Sequence, residues 1–176
     1  LEDAAHVAVG SFETSYVEHA YIEPEAGAAW MDDHTLVIQV CTQAPFMNRD
    51  DVAKVLGLKS DTVRIIPTGT GGGFGSKLDI TLQPLLGLAV LKTGRPCRMI
   101  FTRGESLQVS TKRHPAKMRA HIGINADGQI LGMKFHGDFN TGAYASWGPT
   151  VANRVPVHAS GPYRTPNYHA VGRAIH

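Results

Sequence analysis

Thr62-Val-Arg-Ile-Ile-Pro67, then Thr68-Gly-Thr-Gly-Gly-Gly-Phe-Gly-Ser-Lys77, then a leucine-rich run over residues 78–92, form the stretch on which the fold turns. The first segment is short and β-branched, so it predicts a strand. In the last, Leu82, Leu85, Leu86, Ala89 and Val90 share one broad face. That spacing predicts a mostly buried helix stopping at Thr93-Gly94, with Pro84 marking a bend or a late start. Between them lie five glycines within residues 69–75, which lose much backbone freedom on folding. The compensating gain is close approach of main chain to a ligand, with N–H groups converging on an anion at a helix N-terminus. The known phosphate templates nevertheless fail. A P-loop needs glycine where Ser76 stands and Ser or Thr where Leu78 stands. The fingerprint G-x-G-x-x-G begun at Gly69 meets Phe74, and begun at Gly71 it meets Ser76. A phosphate- or nucleotide-binding module and a tight loop packed on its neighbours both stay open, although Phe74 sets an apolar wedge among the glycines.

Upstream of this unit, residues 7–11 and 35–42 read as strands, the second entered through the turn Asp32-Asp-His34. Asn48 can cap a helix over residues 49–56, in which Val52, Val55 and Leu56 recur at helical spacing and Gly57 is placed as the stop. Downstream, residues 95–102 predict a strand and the basic segment 103–117 a loop or irregular helix. Residues 118–124 and 129–135 alternate on either side of Asn125-Ala-Asp-Gly128, the strongest hairpin signal in the chain. Residues 145–160 show no clear period. The expected class is α+β, with mixed β-sheets, two main helices and a strand–Gly-rich loop–helix unit, divisible into two small lobes with a boundary near residues 94–117.

Composition narrows the function. The chain has 176 residues, 43% hydrophobic and 18% charged, enough to build a core and too apolar for a disordered chain. A net charge of +2 argues against nucleic acid as partner, and no apolar run approaches the 18 residues of a membrane span. Cys41 and Cys97 each sit in an apolar β-like run, which predicts small core residues in a reducing compartment, the cytoplasm. Two thiols are too few for an iron–sulfur cluster, and the nine histidines show no metal-ligand spacing. The last residues, Tyr168-His-Ala-Val-Gly-Arg-Ala-Ile-His176, read as an alternating strand that simply stops, which predicts a fragment of a longer chain.

Gly71-Gly-Gly-Phe-Gly-Ser-Lys77 resembles the molybdopterin-contacting loop of the molybdenum hydroxylases, the xanthine dehydrogenase and aldehyde oxidase family. The likeness extends in family order through Tyr21-Ile-Glu-Pro24, Cys41-Thr-Gln43, Lys92-Thr-Gly-Arg-Pro96, Arg113-His-Pro115, Asp138-Phe-Asn-Thr-Gly-Ala-Tyr144 and Pro162-Tyr-Arg-Thr-Pro-Asn167. Each motif is weak alone; the ordered set is specific. The chain is thus similar to the N-terminal part of the cofactor-binding domain of a large subunit.

The resemblance implies a parent oxidoreductase in which a molybdopterin centre hydroxylates an aldehyde or a xanthine-like N-heterocycle with water-derived oxygen. Electrons would leave through iron–sulfur and FAD groups on other domains or subunits. The protein's own part is positioning and electrostatics. By motif, Gly73, Phe74 and Gly75 would line the cofactor, and Gln43 would hydrogen-bond the molybdenum oxo group, with no direct protein ligand to the metal. Arg154 would stand on the substrate side, where a guanidinium stabilises growing negative charge. Leu78 is the main departure: purine-oxidising relatives carry a glutamate there, and Asp79 would point about 100° away on a helix. The family's second cofactor segment and its catalytic glutamate base would lie beyond His176. Residues 1–176 alone are therefore expected to be inactive, to bind no cofactor by themselves, and to self-associate through surfaces meant for the rest of the subunit.

Overall fold

The computed structural model describes residues 1–176. In chain order its elements are β1 (His6–Thr14), β2 (Ala26–Asp32), β3 (Thr35–Val40), α1 (Pro45–Leu56), β4 (Val63–Pro67), α2 (Gln83–Thr93), β5 (Cys97–Ile100), α3 (Arg103–Val109), β6 (Ala116–Ile124), β7 (Ile130–Asn140), α4 (Gly148–His158) and β8 (Asn167–Ile175). Contacts divide the chain into two compact units, Glu18–Lys112 and the pair Leu1–Val17 with Arg113–His176. The class is α+β with mixed sheets, as the sequence predicts, but with four helices instead of two.

Unit Glu18–Lys112 holds a sheet of order β4-β3-β2-β5. β2 and β3 form an antiparallel hairpin closed by Asp33 and His34, with Asp33 in the left-handed region (φ 50°) that Asp tolerates better than most residues. α1 then carries the chain to β4, which lies parallel to β3, and β5 adds antiparallel to the other side of β2. Leu36, Ile38 and Val40 alternate onto one face of β3 and meet Val52 and Ala53 of α1 and Leu86 and Val90 of α2. All of these are buried, so α1 and α2 close that face over a continuous core.

The helices differ from the sequence expectation at their starts. Asn48 does not cap α1. The helix begins earlier, at Pro45, whose fixed φ suits the first turn, and Asn48 is buried inside it. Its side chain instead accepts from Thr42 Oγ1 (2.6 Å) and Gln83 Nε2 (3.1 Å) and donates to the Leu78 carbonyl (2.7 Å). The helix expected from residue 78 starts only at Gln83, with Pro84 in its first turn. Before it come a one-turn 3-10 segment, Ser76–Leu78, and an extended Asp79. Gly57 and Gly94 end α1 and α2 in left-handed conformation, as placed.

The other unit holds a sheet of order β1-β6-β7-β8. β6 and β7 pair antiparallel around Asn125-Ala-Asp-Gly128, where Gly128 has φ 80° and Asn125 Oδ1 accepts from the Asp127 and Gln129 N–H groups. α4 returns the chain so that β8 runs parallel to β7. α4 packs on β7 and β8, where Ala152 meets Phe135 and Phe139 in a smaller core. Segment 145–160, silent by periodicity, thus contains a helix despite Pro149 at its start and Pro156 within it. α3, in the segment expected to be a loop or irregular helix, begins with a full capping box: Thr102 Oγ1 accepts from Glu105 N–H, and Glu105 accepts from Thr102 N–H.

Candidate functional site

Strand direction gathers the site. Because β3 and β4 are parallel, their exits, residues 41–43 and 68–75, emerge at one end of the sheet. β2 is antiparallel to β3, so its entrance, residues 21–25, opens at that same end. Crevices outside the carboxyl ends of parallel strands are where α/β sheets commonly bind ligands.

The glycine loop is seated on those two neighbours. The Gly71 N–H donates to Glu23 Oε2 (2.8 Å), and the Glu23 N–H returns a bond to the Gly71 carbonyl (3.2 Å). A Cβ on Gly71 would lie 2.6 Å from Glu23 Cβ, and one on Gly73 would collide with the Gln43 amide. These two glycines are needed for close approach. Gly75 is needed for another reason: its φ is 101°, and the space beside its Cα is open. Phe74, between them, is a bulky residue in the left-handed region (φ 52°) and is 64% exposed. Such backbone strain clusters at functional positions.

Gln43 is held in one orientation. Its Oε1 accepts from the Gly75 N–H (3.1 Å) and the Lys77 N–H (3.3 Å), while its own main-chain N–H donates to the Lys77 carbonyl (3.0 Å). Two backbone donors can be met only by the amide oxygen, so the Nε2 group must turn the other way. No protein acceptor meets Nε2, and Gln43 is exposed. The result is an outward hydrogen-bond donor beside Phe74 and the open side of Gly75.

Lys77 does the opposite of what a phosphate-binding lysine would do. It is 3% exposed, and its Nζ donates to Glu23 Oε2 (2.7 Å) and to the Glu23 carbonyl (2.9 Å), lying 4.6 Å from the centre of the Tyr21 ring. Burial pushes the Glu23 carboxyl up, but the bonds from Lys77 and Gly71 and the charge of Lys77 outweigh it and hold it below its ordinary range. Beneath, the Tyr21 hydroxyl donates to buried Glu25, and Ser76 Oγ bonds Thr111 Oγ1 (3.2 Å). Burial, with the hydrogen bond to Glu25 next, pushes the Tyr21 phenol up. The loop therefore does meet an anion, as its glycines suggest, but that anion is the chain's own Glu23, and the helix that follows starts too late to add its dipole.

Of the six sequence-predicted positions, Gln43, Gly73, Phe74, Gly75 and Leu78 lie in the unit Glu18–Lys112. Gly73 is buried against Gln43 and acts as a spacer, and Leu78 is half-buried with its carbonyl held by Asn48. Arg154 lies in the other unit, exposed on α4 and in no ion pair. Sequence reasoning missed Glu23, Tyr21 and Glu25 as parts of the site. Their signal is two carboxylates, at 23 and 25, inside an otherwise apolar entry to a strand. Cys41 is buried and Cys97 half-buried, both as free thiols. No group of three His, Cys, Asp or Glu is placed to hold a metal ion, and no helix is long and apolar enough to cross a membrane.

A strained, glycine-rich loop at the carboxyl end of a parallel strand pair, carrying one outward amide donor, defines a cofactor-cradling domain. Comparison with known proteins gives the family: the model of the molybdopterin cofactor-binding domain matches residues 1–176, and the chain belongs to that family. It is 42% identical over 158 residues to the nicotinate dehydrogenase large molybdopterin subunit of Eubacterium barkeri, covering 89% of this chain and 37% of that one. It is 34% identical to the xanthine dehydrogenase molybdenum-binding subunit of Escherichia coli O157:H7, covering 86% and 20%. In structure it is similar to the aldehyde oxidoreductase of Desulfovibrio gigas, with a TM-score of 0.91, 26% identity, and coverage of 99% of this chain and 19% of that one. The chain thus spans well under half the length of these relatives.

Proposed function

We propose that residues 1–176 form the first cofactor-cradling part of a molybdenum hydroxylase large subunit that oxidises an aldehyde or an N-heterocycle. The carrying observation is Gln43, whose oxygen is pinned by two backbone N–H groups so that its Nε2 faces outward beside Phe74 and Gly75. A neutral amide donor suits an oxygen-rich cofactor face, since it stabilises negative charge there without adding one. The residues fit the group: Gly75 leaves open space where a cofactor edge would approach, Phe74 offers an exposed aromatic face, and Gly73 supports both from below. The bound molybdopterin centre would supply the two-electron redox chemistry. The chain's residues hold and orient it and keep a donor aimed at it.

Arg154 is the substrate-side cation in this reading, and Leu78 removes the carboxylate that a purine would meet. Both favour a non-purine N-heterocycle bearing negative charge, such as the nicotinate of the Eubacterium barkeri relative's name. The base, the second cofactor segment, and iron–sulfur and FAD partners are expected beyond residues 1–176, in the cytoplasm, where free thiols persist. Residues 1–176 alone are expected to be inactive. To test the reading, the complete gene product is purified and assayed for molybdenum and for oxidation of nicotinate, xanthine and an aldehyde. Gln43→Glu, which replaces the outward donor by a carboxylate oxygen, is expected to lower both molybdenum content and turnover. Absence of molybdenum from the wild type would refute the proposal.

A further inference from the structure

We infer that Glu23 is the latch of the glycine loop, a positioning residue that fixes the loop's conformation before any cofactor arrives. The inference concerns this chain's own residues and rests on the reading of that loop as a cofactor cradle. One oxygen, Glu23 Oε2, accepts from the Gly71 N–H at the loop's entrance (2.8 Å) and from Lys77 Nζ at its exit (2.7 Å). A single carboxylate thereby ties residues 71 and 77 together, with the loop residues 73–75 arched between them. The Glu23 main chain adds a bond on each side: its N–H donates to the Gly71 carbonyl and its carbonyl accepts from Lys77 Nζ.

Several observations separate this from an ordinary ion pair. The lysine is buried while its partner is partly open, with side-chain exposures of 2% and 31%. An ammonium that deep must be paired, so the loop's exit cannot leave Glu23 without stranding a charge. The missing Cβ at Gly71 is what lets the carboxylate come under the loop. Most directly, Lys77 carries the backbone N–H that, with Gly75, fixes the Gln43 oxygen. Glu23 holds Lys77, Lys77 holds Gln43, and Gln43 presents its Nε2. The orientation of the outward donor is set three residues deep.

Glu23→Gln, Glu23→Ala and the double variant Glu23→Ala/Lys77→Met are compared with wild type in the complete gene product. Amide hydrogen exchange of residues 71–77 is measured against the β3 amides as an internal reference, with melting temperature and molybdenum content alongside. In Glu23→Gln the loop amides are expected to exchange about tenfold faster while β3 is unchanged. Glu23→Ala strands Lys77 and is expected to lower the melting temperature. The double variant restores that temperature, because no charge is stranded, yet leaves the loop unprotected, because Gly71 still lacks its acceptor. Unchanged loop exchange in both Glu23→Gln and the double variant overturns the latch. So does loss of protection that runs equally through β3, which is what a general stabiliser would give. If the loop loosens and molybdenum content is unaffected, the latch stands and the cofactor reading of the loop falls.

Discussion

The two units are built on one pairing scheme. In each, an antiparallel hairpin (β2–β3 or β6–β7) gains an antiparallel neighbour on one side (β5 or β1) and, through a helix, a parallel neighbour on the other (β4 or β8). They differ in cover. Two helices close one face of the first sheet over a core of fully buried aliphatics, whereas α4 alone lies on β7 and β8, leaving β1 with Val7, Val9 and Phe12 exposed. They differ equally in their strongest ion pairs. Glu23–Lys77 is sunk beneath the glycine loop, while Asp138–Arg173 spans the open face between β7 and β8, its arginine side chain 57% exposed. The same topology thus carries the glycine loop in the unit where a second helix packs on the sheet and a charge pair is buried at the strand exits.

The contrast can be broken by mutation. Glu23→Ala should have the largest effect, a loss of about 3 kcal/mol or more in urea unfolding, because it leaves Lys77 buried and unpaired. Leu86→Ala, at the contact of α2 with the sheet, should cost about 3 kcal/mol by opening a cavity in the better-packed core. Gly75→Ala has room for its methyl group but must hold a left-handed φ, so a loss of about 1 kcal/mol is expected, read as a lower melting temperature. Arg173→Ala should lower the melting temperature much less than Glu23→Ala, since exposed pairs contribute little; a fall as large as that of Glu23→Ala would erase the distinction between the units.

Acid sharpens the same comparison. Both carboxyls titrate below their ordinary range in the folded state, Asp138 at about 2 because the Arg173 guanidinium binds it. A depressed folded value means that the stabilisation is complete above the unfolded pKa, about 4, and disappears as pH falls through the folded one. Stability in acid titration should therefore drop below about pH 4, and Lys77→Met and Arg173→Ala should each flatten part of that drop.

Local signals made much of the fold legible. Asp-Gly at 127–128 and Asp-His at 33–34 mark both hairpins, and Gly57 and Gly94 mark both helix ends. The capping box at Thr102 and Glu105 was equally local and would have revealed α3. The start of α1 was displaced because Asn48, a good cap by type, is recruited by partners 30 and 35 residues away. α4 escaped because two prolines break its periodicity, and close packing of Gly172 on Ala152 and Pro156 supplies what propensity does not. At the candidate site, the glycines, Gln43 and Phe74 stand out by motif, and the structure brings them together. Glu23 does not, because nothing local couples it to a lysine 54 positions later.

That separation bears on the order of assembly. Every side chain that shapes the glycine loop reaches it across 32 to 54 residues of chain. Such contacts form only after long loops have closed, and closure carries an entropic cost that local structure does not. Tyr21, Glu23 and Gln43 reach one place only once β2, β3 and β4 lie side by side. The loop is therefore expected to be among the last parts of its unit to take shape, which amide protection followed during refolding would show as late protection of residues 71–77.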